Sequence, residues 1–98
     1  MIASIKHKGL RKLYVKGHTK RLPDNVQAPA LLRLDALAAA GRPADLALPG
    51  FDLRLEAGKD KRFTLAIDAD HRIRFRWTED GPAKIDLLHA EPVKDATA

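Results

Sequence analysis

Residues 62–77 read RFTLAIDADHRIRFRW, and this stretch decides the fold. Phe63, Leu65 and Ile67 alternate with polar or small residues, and so do Ile73, Phe75 and Trp77. A period of two is the pattern of a strand with one buried face. The short, turn-like Asp68-Ala69-Asp70 segment between the two runs makes them an antiparallel hairpin. If Ile73, Phe75 and Trp77 face a core, then Arg72, Arg74 and Arg76 face the other way. Same-face residues on a strand lie about 6.5–7 Å apart, close to the phosphate spacing of an extended nucleic-acid strand. Three guanidinium groups in such a row form a ladder for anions. The plainer alternative is that the arginines solubilise an exposed sheet face or pair with carboxylates.

A chain of 98 residues is enough for one small domain, and its two longest apolar patterns must pack together to build a core. It has no cysteine, which excludes a disulfide framework and a thiolate metal site. No apolar signal core opens the chain and no run approaches membrane-spanning length, so the expected location is the cytoplasm, with no membrane partner. The net charge is +5 and the sequence pI about 9.8, and the distribution is uneven. Met1 to Arg21 carries seven basic residues and no acidic one; the first carboxylate is Asp24. A second basic cluster runs Lys59, Lys61, Arg62, then Arg72, Arg74 and Arg76. This asymmetry points to a polyanionic partner, either nucleic acid or an acidic protein.

Upstream, Ile2 and Ile5 fit a short first strand over Met1–His7. Leu10, Leu13 and Tyr14 share one face of a helix over Leu10–Lys16, closed by Gly17 as its C′ residue. A longer helix runs from Asp24 or Asn25, as N-cap, to about Ala40. Its apolar stripe is Val26, Ala30, Leu34, Leu37 and Ala38, and Pro29 predicts a late start or a slight kink. Gly41 and Pro43 stop it, and Ala44–Gly50 reads as a loop. Phe51, Leu53 and Leu55 alternate as a strand. Thr78–Pro82 (TEDGP) is a turn signal before a last strand over Ala83–His89 with Ile85 and Leu87. The expected fold is α+β in the order β-α-α-β-β-β-β: an N-terminal helical hairpin packed on one face of a small antiparallel sheet, the other face left for solvent or ligand. Residues 1–91 form the expected domain, and the polar residues 92–98 a disordered tail.

His7-Lys8-Gly9-Leu10-Arg11-Lys12-Leu13 followed by Gly17, then Leu48-Pro49-Gly50-Phe51 and Leu53, and above all His71-Arg72-Ile73-Arg74-Phe75-Arg76-Trp77, resemble the HigB-type toxins of the RelE/ParE superfamily in motif order and spacing. The resemblance covers essentially Met1–Glu91 and implies a RelE-like fold and a type II toxin–antitoxin system. A toxin of this kind enters the ribosomal A site and cuts mRNA by attack of the ribose 2′-hydroxyl on the adjacent phosphate, without metal or other cofactor. A HigA-type antitoxin with a helix-turn-helix domain binds and inhibits it.

That chemistry needs a base for the 2′-hydroxyl, an acid for the leaving oxygen and cations around the phosphorus. Arg72 matches the family's strand arginine and is the first candidate for the catalytic cation. Arg54 stands where some relatives carry histidine; it holds a phosphate well but, being always protonated, is a poor base. Relatives often close the last strand with Asp-Tyr-His, where this chain has His89-Ala90-Glu91. His89 and Glu91 are the acid–base candidates, and the base-stacking tyrosine is missing. Lys59, Lys61, Arg62, Arg74 and Arg76 are expected to track the RNA backbone or the ribosome. Asp86 faces the arginine row as a neutralising group, His7 is structural, and His18 is an exposed loop residue. Two function classes remain open: a ribosome-dependent endoribonuclease, favoured by the arginine row, and a non-enzymatic toxin or degenerate member, favoured by the altered C-terminal motif. The latter would act as a gyrase poison of the ParE kind or through antitoxin binding alone.

Overall fold

The structure is a computed structural model describing residues 1–58 and 61–89; Lys59, Glu91 and the expected tail of residues 92–98 lie outside the described residues. Two helices, α1 (Lys8–Lys16) and α2 (Asp24–Ala39), precede four strands, β1 (Arg54–Leu55), β2 (Arg62–Ala66), β3 (His71–Thr78) and β4 (Gly81–His89). The strands form an antiparallel meander in the order β1-β2-β3-β4, an α+β architecture with the helices on one sheet face. Among the described residues no helix is long and apolar enough to cross a membrane.

α1 begins earlier than its apolar pattern because His7 caps it: the imidazole Nδ1 accepts a hydrogen bond from the Leu10 N–H at 3.1 Å. Gly17 closes the helix at φ 79°, its N–H donating to the Leu13 carbonyl, a backbone geometry that costs glycine least. Leu10 and Leu13 are fully buried, while Tyr14 sits at the rim, 36% exposed.

α2 begins at Asp24, with Pro23 in the N-cap position and no side-chain cap; Asp24 and Asn25 therefore lie inside the first turn rather than capping it. The entry is tied from within instead. The Gln27 amide donates to the Leu22 carbonyl and accepts from the Thr19 N–H. The helix runs through Pro29 without a late start. Three residues beyond Ala39 the chain forms a 3₁₀ turn, Pro43–Leu46, which takes up the first part of the expected Ala44–Gly50 loop. Asp45 holds it by accepting from the Gly41 and Arg42 N–H groups, and Leu46 is driven fully into the core.

β2 and β3 form the expected antiparallel hairpin, with Phe63 opposite Phe75 and Leu65 opposite Ile73. The two phenyl rings stack at 5.6 Å. Leu65, Ile73, Phe75 and Ile85 pack against Leu10, Leu13, Leu34 and Leu37 in the core. Two strands are shorter than expected. β1 is reduced to Arg54–Leu55 because Asp52 adopts φ 47°, which breaks extended backbone just before it. The Met1–His7 strand reduces to one parallel bridge, Ile5 to Ile85, supported by Lys6 and His7 N–H bonds to the Ile85 carbonyl. This segment runs along the edge of β4 that β3 leaves open.

Phe75→Ala should destabilise the fold by about 3–5 kcal/mol, the cost of emptying a close-packed aromatic site. Leu55→Ala, at a position 64% exposed, should stay within about 0.5 kcal/mol. Urea unfolding midpoints of the two variants check the assignment of inner and outer positions.

Candidate functional site

Pairing register fixes what shares the helix-free face. Arg54, Thr64, Arg74 and Asp86 lie in one row across all four strands; Arg62, Arg76 and Ala83 form the next, and Ala66, Arg72 and Leu88 the one on the other side. Arg72, Arg74 and Arg76 thus stand opposite the buried Ile73 and Phe75, each of the three half-buried.

A β-bulge shapes the middle of this face. β4 passes from Asp86, opposite Arg74, to Ala83, opposite Arg76, so Lys84 and Ile85 together oppose Phe75. Lys84 takes the strain at φ 51°, and its N–H donates to Ser4 Oγ at 2.8 Å. A bulge bends its strand and re-aims a side chain. Here a cleft of about 200 Å³ opens, lined by Lys6, Arg62, Arg74, Arg76, Lys84 and Asp86. Five cations and one carboxylate therefore surround one concavity, the electrostatic form of an anion site. Asp86 sits where the sequence placed it, opposite the arginine row, and its Oδ1 accepts the Leu87 N–H. Glu56 approaches Arg74 at only 4.0 Å, a loose pair.

Arg72 lies at one end of the row and is held on several sides. Its Nε and Nη2 donate to Thr64 Oγ1 at 3.0 and 2.8 Å, its Nη1 to Asp52 Oδ2 at 2.9 Å, and its Nη2 to the Asp52 carbonyl at 2.7 Å. Arg54 Nη2 lies 2.9 Å from the same Asp52 oxygen. Hydrogen bonds from Arg72 and then Arg54, reinforced by both charges, hold the Asp52 carboxyl below the usual carboxylate range.

The loop carrying Asp52 is anchored from the core side. Arg33, 8% exposed on α2, donates to the carbonyls of Ala66, Pro29 and Gly50 at 2.9, 3.1 and 3.2 Å and lies 4.6 Å over the Phe51 ring. Burial lowers its pKa, yet a guanidinium stays charged, and carbonyl dipoles with an aromatic face solvate it.

The remaining candidates fall elsewhere. His89 is opposite His71, which shares the face of Ile73, so His89 lies toward the helix side of the sheet while Arg72 points to the other. The two imidazoles sit 4.8 Å apart, and His71 Nδ1 meets Asp68 Oδ1 at 2.9 Å. Burial raises the Asp68 pKa, but the hydrogen bonds from His71 and the Asp70 N–H and the His71 charge outweigh it, and the net shift is downward. Lys61 lines a depression with Phe63 and Trp77 instead of the basic cleft. His18 is exposed. The structure thus brings Arg62, Arg74 and Arg76 together at the cleft and Arg54 with Arg72 beside it. It does not bring His89 to either, and Lys59 and Glu91 fall outside the described residues. Lys6, Lys84 and Asp52 are additions that the sequence did not flag. Among the described residues no group of three histidine, cysteine or acidic side chains is placed to hold a metal ion.

The chain matches no protein-family model and no curated protein. Two N-terminal helices followed by an open four-stranded antiparallel sheet are compatible with a RelE-like toxin fold.

Asp52→Asn should lower stability at neutral pH. A carboxyl with a depressed native pKa stabilises the fold above its unfolded value of about 3.9 and loses that contribution as pH falls through the native value. Denaturant titrations of the wild type and the variant should therefore differ at pH 7 and converge toward pH 2.

Proposed function

We propose that this chain is the toxin of a type II toxin–antitoxin system, of the HigB kind within the RelE/ParE superfamily, and that it binds mRNA on the arginine face of its sheet. The observation that carries the proposal is the cleft of five cations against one carboxylate on the sheet face that the helices leave open. Further support comes from the order of the sequence motifs and from a fold compatible with RelE-like toxins. The expected setting is the ribosomal A site in the cytoplasm, and the expected inhibitor is a HigA-type antitoxin with a helix-turn-helix domain, presenting an acidic surface to the arginines.

In the cleavage that the proposal assigns, the 2′-oxygen bonds to phosphorus, the P–O5′ bond breaks, and the 2′-hydroxyl proton passes to a base while the leaving oxygen gains one. Arg72, rigidly placed by Thr64, would stabilise the charge that builds on the phosphorane oxygens, while the cleft arginines would hold the adjoining backbone phosphate. The acid–base groups on this face, among the described residues, are the carboxylates Asp52, Glu56 and Asp86 and the ammonium groups of Lys6 and Lys84. The position of His89 on the other face favours a second reading, a toxin that arrests growth by binding alone.

Primer extension on cellular mRNA after induction separates the two. Cleavage predicts in-frame A-site cuts that fall about 10²–10³-fold in Arg72→Ala, with circular dichroism unchanged; growth arrest without cuts selects the binding reading. Both readings of an RNA-bound toxin predict salt-sensitive association. If all five cleft cations meet phosphates, log K against log salt should slope at about −3 to −4. Ribosome co-sedimentation indifferent to salt would contradict both.

A further inference from the structure

Asp52 holds two arginines away from any ligand, and the RNA reading leaves this unexplained. One of its carboxylate oxygens lies 2.9 Å from Arg72 Nη1 and 2.9 Å from Arg54 Nη2. An anionic oxygen between two guanidinium groups stands where a phosphate oxygen would bind.

The two sides of this cluster differ in how firmly they are held. Arg72 is anchored independently of Asp52, through Nε and Nη2 to the hydroxyl of Thr64, a residue only 5% exposed. The Arg72 side chain is itself just 18% exposed. The Asp52 and Arg54 side chains are 47% and 65% exposed, so the carboxylate can rotate into water without disturbing the core. The guanidinium therefore stays in place when its partner leaves, which is what a preformed anion site requires.

We propose that Arg54 and Arg72 form a second phosphate site on the sheet face, beside the cleft, whose resting occupant is the Asp52 carboxylate. The identity of the displacing ligand, a backbone phosphate of RNA, rests on the function proposed above; the anion site itself does not. Arg74, on the same face of β3, lies one same-face step of about 6.5–7 Å from Arg72 and lines the cleft. The two sites are thus neighbouring stops for successive phosphates. A tethered carboxylate competes at high effective concentration, so a lone phosphate displaces it poorly. A strand already held in the cleft meets the same advantage on its own side. Asp52 thereby selects a polynucleotide over a mononucleotide or free phosphate.

Asp52→Asn is the informative variant, because asparagine keeps the shape and tolerates φ 47°. Asp52→Gly, at ease at the same φ, is the second variant if the first does not fold. Calorimetric titrations use two probes, inorganic phosphate and an uncleavable 2′-O-methyl RNA oligonucleotide, across a salt series. Asp80→Asn, in the exposed β3–β4 turn, calibrates the effect of net charge alone. The expected gain in oligonucleotide affinity is about tenfold beyond that of Asp80→Asn, the scale of one charge-assisted hydrogen bond. Inorganic phosphate should bind Asp52→Asn measurably more tightly than the wild type, and both gains should vanish when Arg72→Ala is added. A gain no larger than that of Asp80→Asn, or one that survives Arg72→Ala in a folded protein, overturns the proposal. If phosphate gains affinity through Arg72 while the oligonucleotide binds neither the wild type nor Asp52→Asn, the anion site stands and the RNA reading falls.

Discussion

The pleat of β3 is the constraint on which the rest depends. A strand offers alternate residues to its two faces, and here one set, Ile73 and Phe75, is wholly buried against the helices. A slip of one residue would bury three arginines and expose the core. The hydrophobic effect acting on the inner set therefore sets the position of the outer set. The cost of crowding Arg62, Arg72, Arg74 and Arg76 on one small sheet is met by core burial elsewhere. Asp52 pairs with Arg72, Glu56 approaches Arg74, and Asp86 lines the cleft, so carboxylates stand against this row.

The second constraint is Arg33, a cation in the core that meets carbonyls rather than a carboxylate. It ties α2 to the end of β2 at Ala66 and to the loop at Gly50, with Phe51 beneath it. Truncating Arg33 would take a donor from the Ala66 and Gly50 carbonyls and leave these acceptors unpaired, which is the costly part of such a change. Phe51 is followed directly by Asp52, so the same anchor that closes the core also sets the origin of the Arg54–Asp52–Arg72 cluster. Core packing and the charged face are joined through three consecutive residues, Gly50 to Asp52.

What the sequence made legible is what periodicity carries: the β2–β3 hairpin, the two helices and the outward row of arginines. What it hid depends on single backbone angles and on contacts distant in sequence. Lys84 at φ 51° creates the bulge that forms the cleft, and nothing in the run PAKID marks it. Asp52 at φ 47° shortens β1 and turns a carboxylate onto Arg72, twenty residues away. Lys6 reaches the cleft only because its segment pairs with Ile85. His7 read as structural without showing that it is a helix cap. Motif position makes Arg72 and His89 candidates for one site, whereas register puts His89 opposite His71, on the other face from Arg72.

On the proposed function, the helix-free sheet face is the working surface. Arginine Nε–H and backbone chemical shifts, followed by NMR during titration with a 2′-O-methyl RNA oligonucleotide, test it most directly. Perturbations should be confined to Arg54, Arg62, Arg72, Arg74 and Arg76 and to the backbone around Lys84, with the basic surface of α1 and its connector unmoved. Perturbations concentrated instead on Lys12, Lys16, Lys20 and Arg21, with the arginine row silent, would contradict it.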